Sequence, residues 1–469
     1  MNNADFRQHA HILVDWMADY LENIEQYPVK SPVSPGEIYE KLPDFPPESS
    51  ELMTAIVDDF KKIILPGMTH WQSPNFFAYF PANSSYPSIL AEMLTATMGA
   101  QCMIWETSPA AAELEEQVMN WLKKMLALPS HFEGVIQDTA SSATLCAILS
   151  AREKQSAFKV NFDGFSHNDF RVYCSNQTHS SIDKAVRISG IGQNNLIKIE
   201  VDEKLAMEPD KLEKAIRADL ADGKKPLCVV ATLGTTGTTA VDPLADIAKI
   251  CQKYGIWLHV DAAYAGTALV LPEFRWMSAG LEYADSFVVN PHKWMFTNFD
   301  CSAYFVKEKD VLVRTFAILP EYLKTQVQGR VKDYRDWGIA LGRRFRALKL
   351  WFMIRNFGVR GIQEKVRFHI KIAQNLSKKI EQHVDFELMV PTVLNALFFR
   401  YKPETDQDYD VNSLNERLLQ GLNASGSIYL THTKIDSEFV IRMVIGQTYV
   451  MEKHVNNAWK LIQDVAGEL

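Results

Sequence analysis

What the sequence is short of narrows the field first. Cysteine is scarce and scattered: Cys102, Cys146, Cys174, Cys228, Cys251 and Cys301 are the six in 469 residues, with no Cys-x-x-Cys pair. That spacing excludes a disulfide scaffold or a zinc ribbon and reads as reduced core thiols in a reducing compartment. Positive charge is in deficit. Lys and Arg number 49 against 57 Asp and Glu, a formal net charge of −8, the wrong sign for a surface that meets a phosphate backbone, so nucleic acid is not an expected partner. No run approaches the roughly 18 consecutive apolar residues of a membrane span, so no membrane is expected. The start, Met1 to Asp5, lacks the basic-then-apolar pattern of a secretory leader, and the expected location is cytoplasmic. G-x-G-x-x-G and G-x-x-x-x-G-K-[ST] are missing too, which leaves a dinucleotide or P-loop reading little support. Repeats and low-complexity tracts are absent. What remains is ordinary globular composition, 47% hydrophobic and 23% charged, in a chain long enough for several domains.

Periodicity then orders the chain. Phe6, Ala10, Leu13, Met17, Tyr20, Leu21 and Ile24 recur at three- and four-residue steps, which predicts a first helix. A proline-rich connector runs from Pro28 to Pro47, and a second helix is predicted over 50–64. These helices have little of their own to pack against and are expected to cover another subunit or the main domain. Helices and short apolar strands alternate next. Strands are predicted at 134–136, 170–175, 196–199, 227–233, 256–260 and 287–289. Helices are predicted after Ser108-Pro109, after the turn 139–142, from Ser180, from Pro209 and from Pro243 to the stop at Gly255. This alternation predicts an α/β fold with a mostly parallel sheet covered on both faces. Beyond Asp336 the pattern becomes mixed, with strands at 397–400 and 439–444, and a smaller α+β domain is expected. The expected division is 1–85, an N-terminal helical dimerisation segment; 86–348, the large α/β domain; and 349–469, the small α+β domain.

Two strand ends carry the strongest chemistry. Asp261 closes the apolar strand that runs into Ala262-Ala263-Tyr264, where an open α/β sheet places its ligands. Lys293, in Asn290-Pro291-His292-Lys293-Trp294, follows another. Such a lysine can condense with a carbonyl, and such an aspartate can keep a ring nitrogen protonated. A lone charge after a strand is most often a solvated turn residue; the pairing, with Pro291 stiffening one turn and small Ala262, Ala263 and Gly266 beside the other, is what raises it above that. Thr139-Ala140-Ser141 lies between a strand and a helix, where N–H groups converge on an anion. The turn 234–239 offers small hydroxyls, and His179 follows a strand with a flat ring to stack. Taken singly, these are as well explained by helix caps and a hydrogen-bonded packing histidine.

Together the motifs resemble the pyridoxal-phosphate-dependent group II decarboxylases, and among them the aromatic-L-amino-acid decarboxylases. The likeness spans nearly the whole chain: 70–87 (HWQSPNFFAYFPANSSYP), 134–144 (GVIQDTASSAT), 179–185 (HSSIDKA), 231–236 (ATLGTT), 259–266 (HVDAAYAG), 290–294 (NPHKW) and 341–345 (LGRRF). The resemblance implies a type I aminotransferase-like fold and a homodimer with active sites shared between subunits. It implies that Lys293 holds pyridoxal 5'-phosphate covalently, Asp261 pairs with the pyridine nitrogen, His179 stacks on the ring and Ala263 packs on its other face. Ala140 and Ser141 match the phosphate cup, with Asn290 and His292 beside it, and Thr236 matches a threonine near the cofactor.

The reaction and substrate follow from the same resemblance. Loss of CO₂ needs the Cα–carboxylate bond perpendicular to the ring and a placed acid to protonate Cα afterwards. The stretch Pro320-Glu321-Tyr322-Leu323-Lys324 resembles the family's mobile catalytic loop, read as continuing through Gln326, Gln328, Gly329 and Lys332 to about Tyr334. Tyr322 stands where a phenol is implicated in that protonation, and related oxygen-using aldehyde synthases often carry Phe there. Aromatic density at Trp71, Phe76, Phe77, Tyr79 and Phe80 suits a slot for a flat side chain, though ordinary core packing uses the same residues. Gly342 matches a position where, among plant relatives, Gly goes with indolic substrates and Ser with phenolic ones. Three departures qualify this: Ala82 stands where animal relatives carry Thr, Gln101 where they carry an aliphatic residue and Met103 where they carry Phe. The leading expectation is decarboxylation of aromatic L-amino acids. The alternatives are an aldehyde synthase and a catalytically silent scaffold, the last disfavoured by the intact Lys293, Asp261 and His179.

Overall fold

The computed structural model describes residues 1–165, 169–318, 330–404 and 410–469. Two compact units emerge: Ala82–Ile370 form one, and Met1–Pro81 with Lys371–Leu469 form the other. The N-terminal helices and the C-terminal α+β region, kept apart in the reading of the sequence, thus cluster in one unit.

The larger unit is built on a seven-stranded sheet. Its strands are β1 Glu133–Gln137, β2 Phe170–Ser175, β3 Leu196–Ile199, β4 Lys225–Thr232, β5 Trp257–Asp261, β6 Ser286–Val289 and β7 Ser302–Val306, in the order β1-β7-β6-β5-β4-β2-β3. From β3 to β6 all pairings are parallel. Only β7 runs against its neighbours β1 and β6. The strands β5, β6 and β7 are buried along their full length, as an α/β sheet with both faces covered requires. Alternation sorts the faces. Val135, Cys174, Val230, Val288 and Tyr304 pack with Ala143, Ala147, Ile182 and Val186 in one core. Their strand neighbours Tyr173, Val229, Phe287 and Phe305 are buried too and point the other way. The mostly parallel α/β fold expected from the alternation is therefore present. Strand β7 went unpredicted because it returns only a few residues after the Lys293 turn, with no crossover helix to announce it.

In the smaller unit, β8 Phe386–Leu388, β9 Ala396–Tyr401, β10 Thr431–Ile435 and β11 Glu438–Val444 form an antiparallel sheet in the order β10-β11-β9-β8. The β10–β11 hairpin turns on Asp436 and Ser437, both with positive φ, which matches the right-handed twist of its strands. The first helix, Asn3–Glu22, buries no residue of its own, and Phe6, Ile12 and Val14 are exposed on it. The predicted second helix is Met53–Asp59, continued by a wider-wound turn, Phe60–Ile64.

Candidate active site

Because β1, β2, β4, β5 and β6 run the same way, their carboxyl ends lie along one edge of the sheet, and the sequence-predicted residues of the larger unit follow them. After β1, Thr139 caps the helix Ala140–Gln155, its hydroxyl accepting from the Ser142 N–H at 3.4 Å. The amides of Ala140 and Ser141 belong to the first turn, where the helix supplies no acceptor and its dipole favours an anion. After β4, Gly234 adopts φ +84°, and a Cβ there would stand 2.5 Å from the Cβ of Ala265. Only glycine fits this turn. Buried Thr235 shapes it further, bonding Thr238 at 3.2 Å and the Ala240 N–H at 3.0 Å, and leaves Thr236 exposed.

Asp261 ends β5 and is buried, with one carboxylate oxygen accepting from the Ala263 N–H at 3.0 Å. That bond fixes the direction of the carboxylate. Beyond β6, the Asn290 N–H donates to Ala263 at 2.9 Å and the Lys293 N–H to Asn290 at 2.9 Å, so the lysine turn is tied to the aspartate turn by backbone alone. The Ser302 hydroxyl donates to the Asn290 side chain at 2.6 Å, and the Asn83 amide donates to the Lys293 carbonyl at 2.6 Å. His292 is buried, and its Nδ1 accepts from the Cys301 N–H at 2.9 Å. Burial, then the Lys293 charge, push its pKa down to about 3, so it is a neutral ring with its proton on Nε2. His179 follows β2. Burial first and the Lys293 charge second hold its pKa below the ordinary value, while Asp261 pulls it up. Asp261, His179 and Lys293 thus stand within electrostatic reach of one another.

The donor set fits the group that the sequence points to. A buried carboxylate suits a protonated pyridine nitrogen, an amine suits an aldehyde, a flat imidazole and small Ala263 leave room for a ring, and first-turn amides with a neutral imidazole N–H suit a phosphate. Asn83 and Ser302 brace this arrangement and escaped the sequence reading. Asn83 lies 210 residues from the lysine it holds, and no local pattern marks such a partner.

The proposed substrate residues fall into three groups. Trp71, Tyr79 and Phe80 belong to the smaller unit. There Trp71 stacks on Tyr79 with centroids 5.9 Å apart, and the Arg442 guanidinium lies 4.5 Å over Phe80; Phe76 and Phe77 are buried core. Ala82 opens the larger unit, half-buried beside Asn83. Gln101, Met103 and Gly342 come together elsewhere in that unit. The Gln101 side-chain oxygen accepts from the Arg343 N–H at 2.7 Å, the Met103 carbonyl accepts from Arg335 at 2.9 Å, and a Cβ on Gly342 would lie 3.4 Å from the Gln101 amide nitrogen. Gln101 and Gly342 are both exposed on the chain. Tyr322 lies outside the described residues. The loop read as running to about Tyr334 has a firm root instead: Lys332 bridges Glu116 and Glu133, each at 2.9 Å, and Tyr334 is in the core. A cavity of about 230 Å³ lined by Lys154, Gln252, Trp257 and Asp285 contains none of the predicted site residues.

Among the described residues no cluster of metal-ligating side chains occurs and no helix is long and apolar enough to cross a membrane. Residues 35–402 match the pyridoxal-dependent decarboxylase conserved domain. The chain is 43% identical to a phenylacetaldehyde synthase of Arabidopsis thaliana, with 100% of this chain and 97% of the relative aligned. It is 42% identical to a tyrosine decarboxylase of Papaver somniferum, with 98% and 94% aligned. Its fold matches the crystal structure of Catharanthus roseus tryptophan decarboxylase in complex with L-tryptophan at a TM-score of 0.94 and 39% identity, covering 100% of this chain and 99% of that one. With most of its length inside one domain family and its relatives matched end to end, the chain belongs to the pyridoxal-dependent decarboxylases, and its cofactor is pyridoxal 5'-phosphate.

Proposed function

We propose that this chain is a carboxy-lyase that converts aromatic L-amino acids (tryptophan, 5-hydroxytryptophan, dopa, tyrosine or phenylalanine) to arylalkylamines and CO₂, as a cytoplasmic homodimer with shared active sites. The observation that carries the reading is that Asp261, His179 and Lys293, following β5, β2 and β6 along one edge of the sheet, stand within electrostatic reach of one another. Bound pyridoxal phosphate supplies the electron sink for the pair released when the Cα–carboxylate bond breaks. The protein's part is to hold and aim. Asp261, fixed by the Ala263 N–H, keeps the proton on the pyridine nitrogen. Lys293 anchors the cofactor, and Asn83 and Asn290 hold its turn. Ala140, Ser141, Asn290 and His292 receive the phosphate, with Thr236 near the ring. His179 and Ala263 flank the ring. Tyr322 delivers the proton to Cα once CO₂ has left. Trp71, Tyr79, Phe80, Ala82, Gln101, Met103, His179 and Gly342 contact the substrate.

The dimer reading rests on exposed apolar surface. Tyr86, Leu90, Leu94 and Met98 are each about half exposed and recur every fourth residue along the helix Tyr86–Met98, a stripe that wants a partner. Exposed Gln101 and Gly342 lie just past it in the chain or beside its end, as pocket walls offered to a second subunit would.

A second reading, oxygen-dependent aldehyde formation, is favoured by the likeness to the Arabidopsis phenylacetaldehyde synthase; Tyr322, in place of Phe, weighs against it. The deciding experiment incubates the purified protein with pyridoxal phosphate, in air, with a mixture of aromatic L-amino acids and identifies products by mass spectrometry. Amines without aldehydes are expected, and their proportions rank indole against phenol. Aldehyde and peroxide as main products would reassign the enzyme as oxidative.

A further inference from the structure

The geometry around His179 points to a role for Ser181. The Ser181 backbone N–H donates to His179 Nδ1 at 3.1 Å, and the Ser181 hydroxyl lies 2.9 Å from the same nitrogen. A backbone N–H only donates, so Nδ1 is an acceptor and carries no proton. The neutral ring then has its one proton on Nε2. Ser181 is itself 7% exposed, at the first position of the helix Ser181–Ile188, so both donors are delivered from a buried, backbone-fixed residue.

We propose that Ser181 is a positioning residue for catalysis: its two donors converge on Nδ1 and hold His179 as the neutral, Nε2-protonated tautomer. The proposal rests on the reading of His179 as the residue flanking the cofactor ring. Its physical sense is electrostatic. A protonated imidazole laid on a protonated pyridine would set two cations face to face, whereas a neutral ring stacks without that repulsion and offers the substrate a single N–H. To take up a second proton, Nδ1 would have to give up the Ser181 N–H bond and force the Ser181 hydroxyl to turn from donor to acceptor. The charged groups facing the ring are Lys293 from the turn after β6, Asp261 from β5 and Lys184 from the helix that Ser181 begins. Lys293 and Lys184 add to burial in keeping the ring neutral, and Asp261 opposes them. His292 shows the same device, with the Cys301 N–H on its Nδ1.

The alternative is that Ser181 merely shares in capping a helix. Hydrogen–deuterium exchange at the imidazole C2 carbon of His179, read by mass spectrometry of its peptide across pH, reports the ring's own titration without depending on turnover. It is measured on the full-length chain with and without cofactor, beside the pH profile of kcat/KM for the holoenzyme. In Ser181→Ala the hydroxyl donor to the neutral ring is lost, so the exchange midpoint and the acid limb should both move up, by about half to one pH unit, the size of one neutral hydrogen bond. Ser181→Thr, which keeps the hydroxyl, should restore both. A midpoint and acid limb unchanged in Ser181→Ala, while His179→Gln loses activity, would overturn the role of Ser181 and leave the site reading standing. Full activity with an unaltered profile in His179→Gln would overturn the site reading, and the proposal with it.

Discussion

At the scale of single residues, the chemistry rests on charges and protons held by burial. One Asp261 oxygen is fixed by the Ala263 N–H; the residue's value lies in its charge. Asp261→Asn keeps the shape and should lower kcat about a hundredfold or more, with a much smaller effect on phosphate-anchored cofactor retention, read from steady-state kinetics and cofactor dissociation. Buried histidines shape the response to acid, three of them most strongly. Burial pushes His259 down to about 4, and His292 and His369 to about 3. Below about pH 6.5 the unfolded chain takes up protons that the folded one refuses. Their contribution to stability is therefore complete at neutral pH and falls as the pH drops through about 6.5 toward those values. Asp242, raised to about 6 by burial, acts in the opposite sense: it binds a proton in the folded state that the unfolded chain has released, so its contribution is largest in acid and is lost as the pH rises through about 6. Asp285 and Asp336, also raised by burial, act with Asp242, but His70, His131, His179 and His454, also lowered by burial, join the other side. Denaturant midpoints should therefore fall between pH 6.5 and 4.5, and His369→Gln should flatten the slope. A midpoint that rises on acidification would contradict this balance. The residues themselves were readable in advance: Asp261, Lys293 and His179 stand at the ends of apolar runs. Their proton states were not, because these depend on which backbone N–H or distant charge comes to face each ring.

At the scale of elements, the interest lies in the joint between the helix Pro109–Met125, β1 and the 334–345 segment. Glu115 and Arg343 are both buried and meet at 2.5 Å. The same Glu115 oxygen accepts from the Ile136 N–H at 2.8 Å, and Arg343 donates to the Ile136 carbonyl at 3.1 Å and lies over the Tyr334 ring. Breaking such a pair leaves a buried charge uncompensated. Glu115→Gln should cost about 3–5 kcal/mol by denaturant unfolding, and adding Arg343→Met should recover much of that, so the double variant falls far short of the sum. Because Gln101 grips the Arg343 N–H, the single variant should also alter the ratio of indole to phenol turnover. Two independent single-variant costs that simply add would show that the pair is not the joint. Periodicity located the helix and β1, but nothing local could reveal that residues 115 and 343 meet.

At the scale of the whole molecule, the proposed dimer can be tested on one exposed apolar stripe. Leu90 and Leu94, 54% and 46% exposed, lie on the apolar stripe of the helix Tyr86–Met98. Leu94→Asp should shift the protein toward monomer in sedimentation and reduce activity with it, if the sites are shared between subunits. A fully active dimer would move the interface elsewhere.

By itself the sequence determined the class of fold and marked out the candidate reactive groups. Alternating apolar runs and capped helices encode a parallel sheet through local periodicity, and the motifs around Lys293, Asp261 and His179 are contiguous stretches of chain. It also pointed to the class of cofactor, through the family resemblance that those motifs carry. The tertiary structure alone decided which distant hydrogen-bond partners fix the site: the Asn83 amide on the Lys293 carbonyl, the Cys301 N–H on His292, the Ser302 hydroxyl on the Asn290 side chain, and the Gln101 side-chain oxygen on the Arg343 N–H. It likewise decided that the antiparallel β7 completes the sheet between β1 and β6, and that the N-terminal helices cluster with the C-terminal sheet. The physical reason is range. Propensity and periodicity act over a few residues, whereas burial and hydrogen bonding act between groups that only the folded chain brings together.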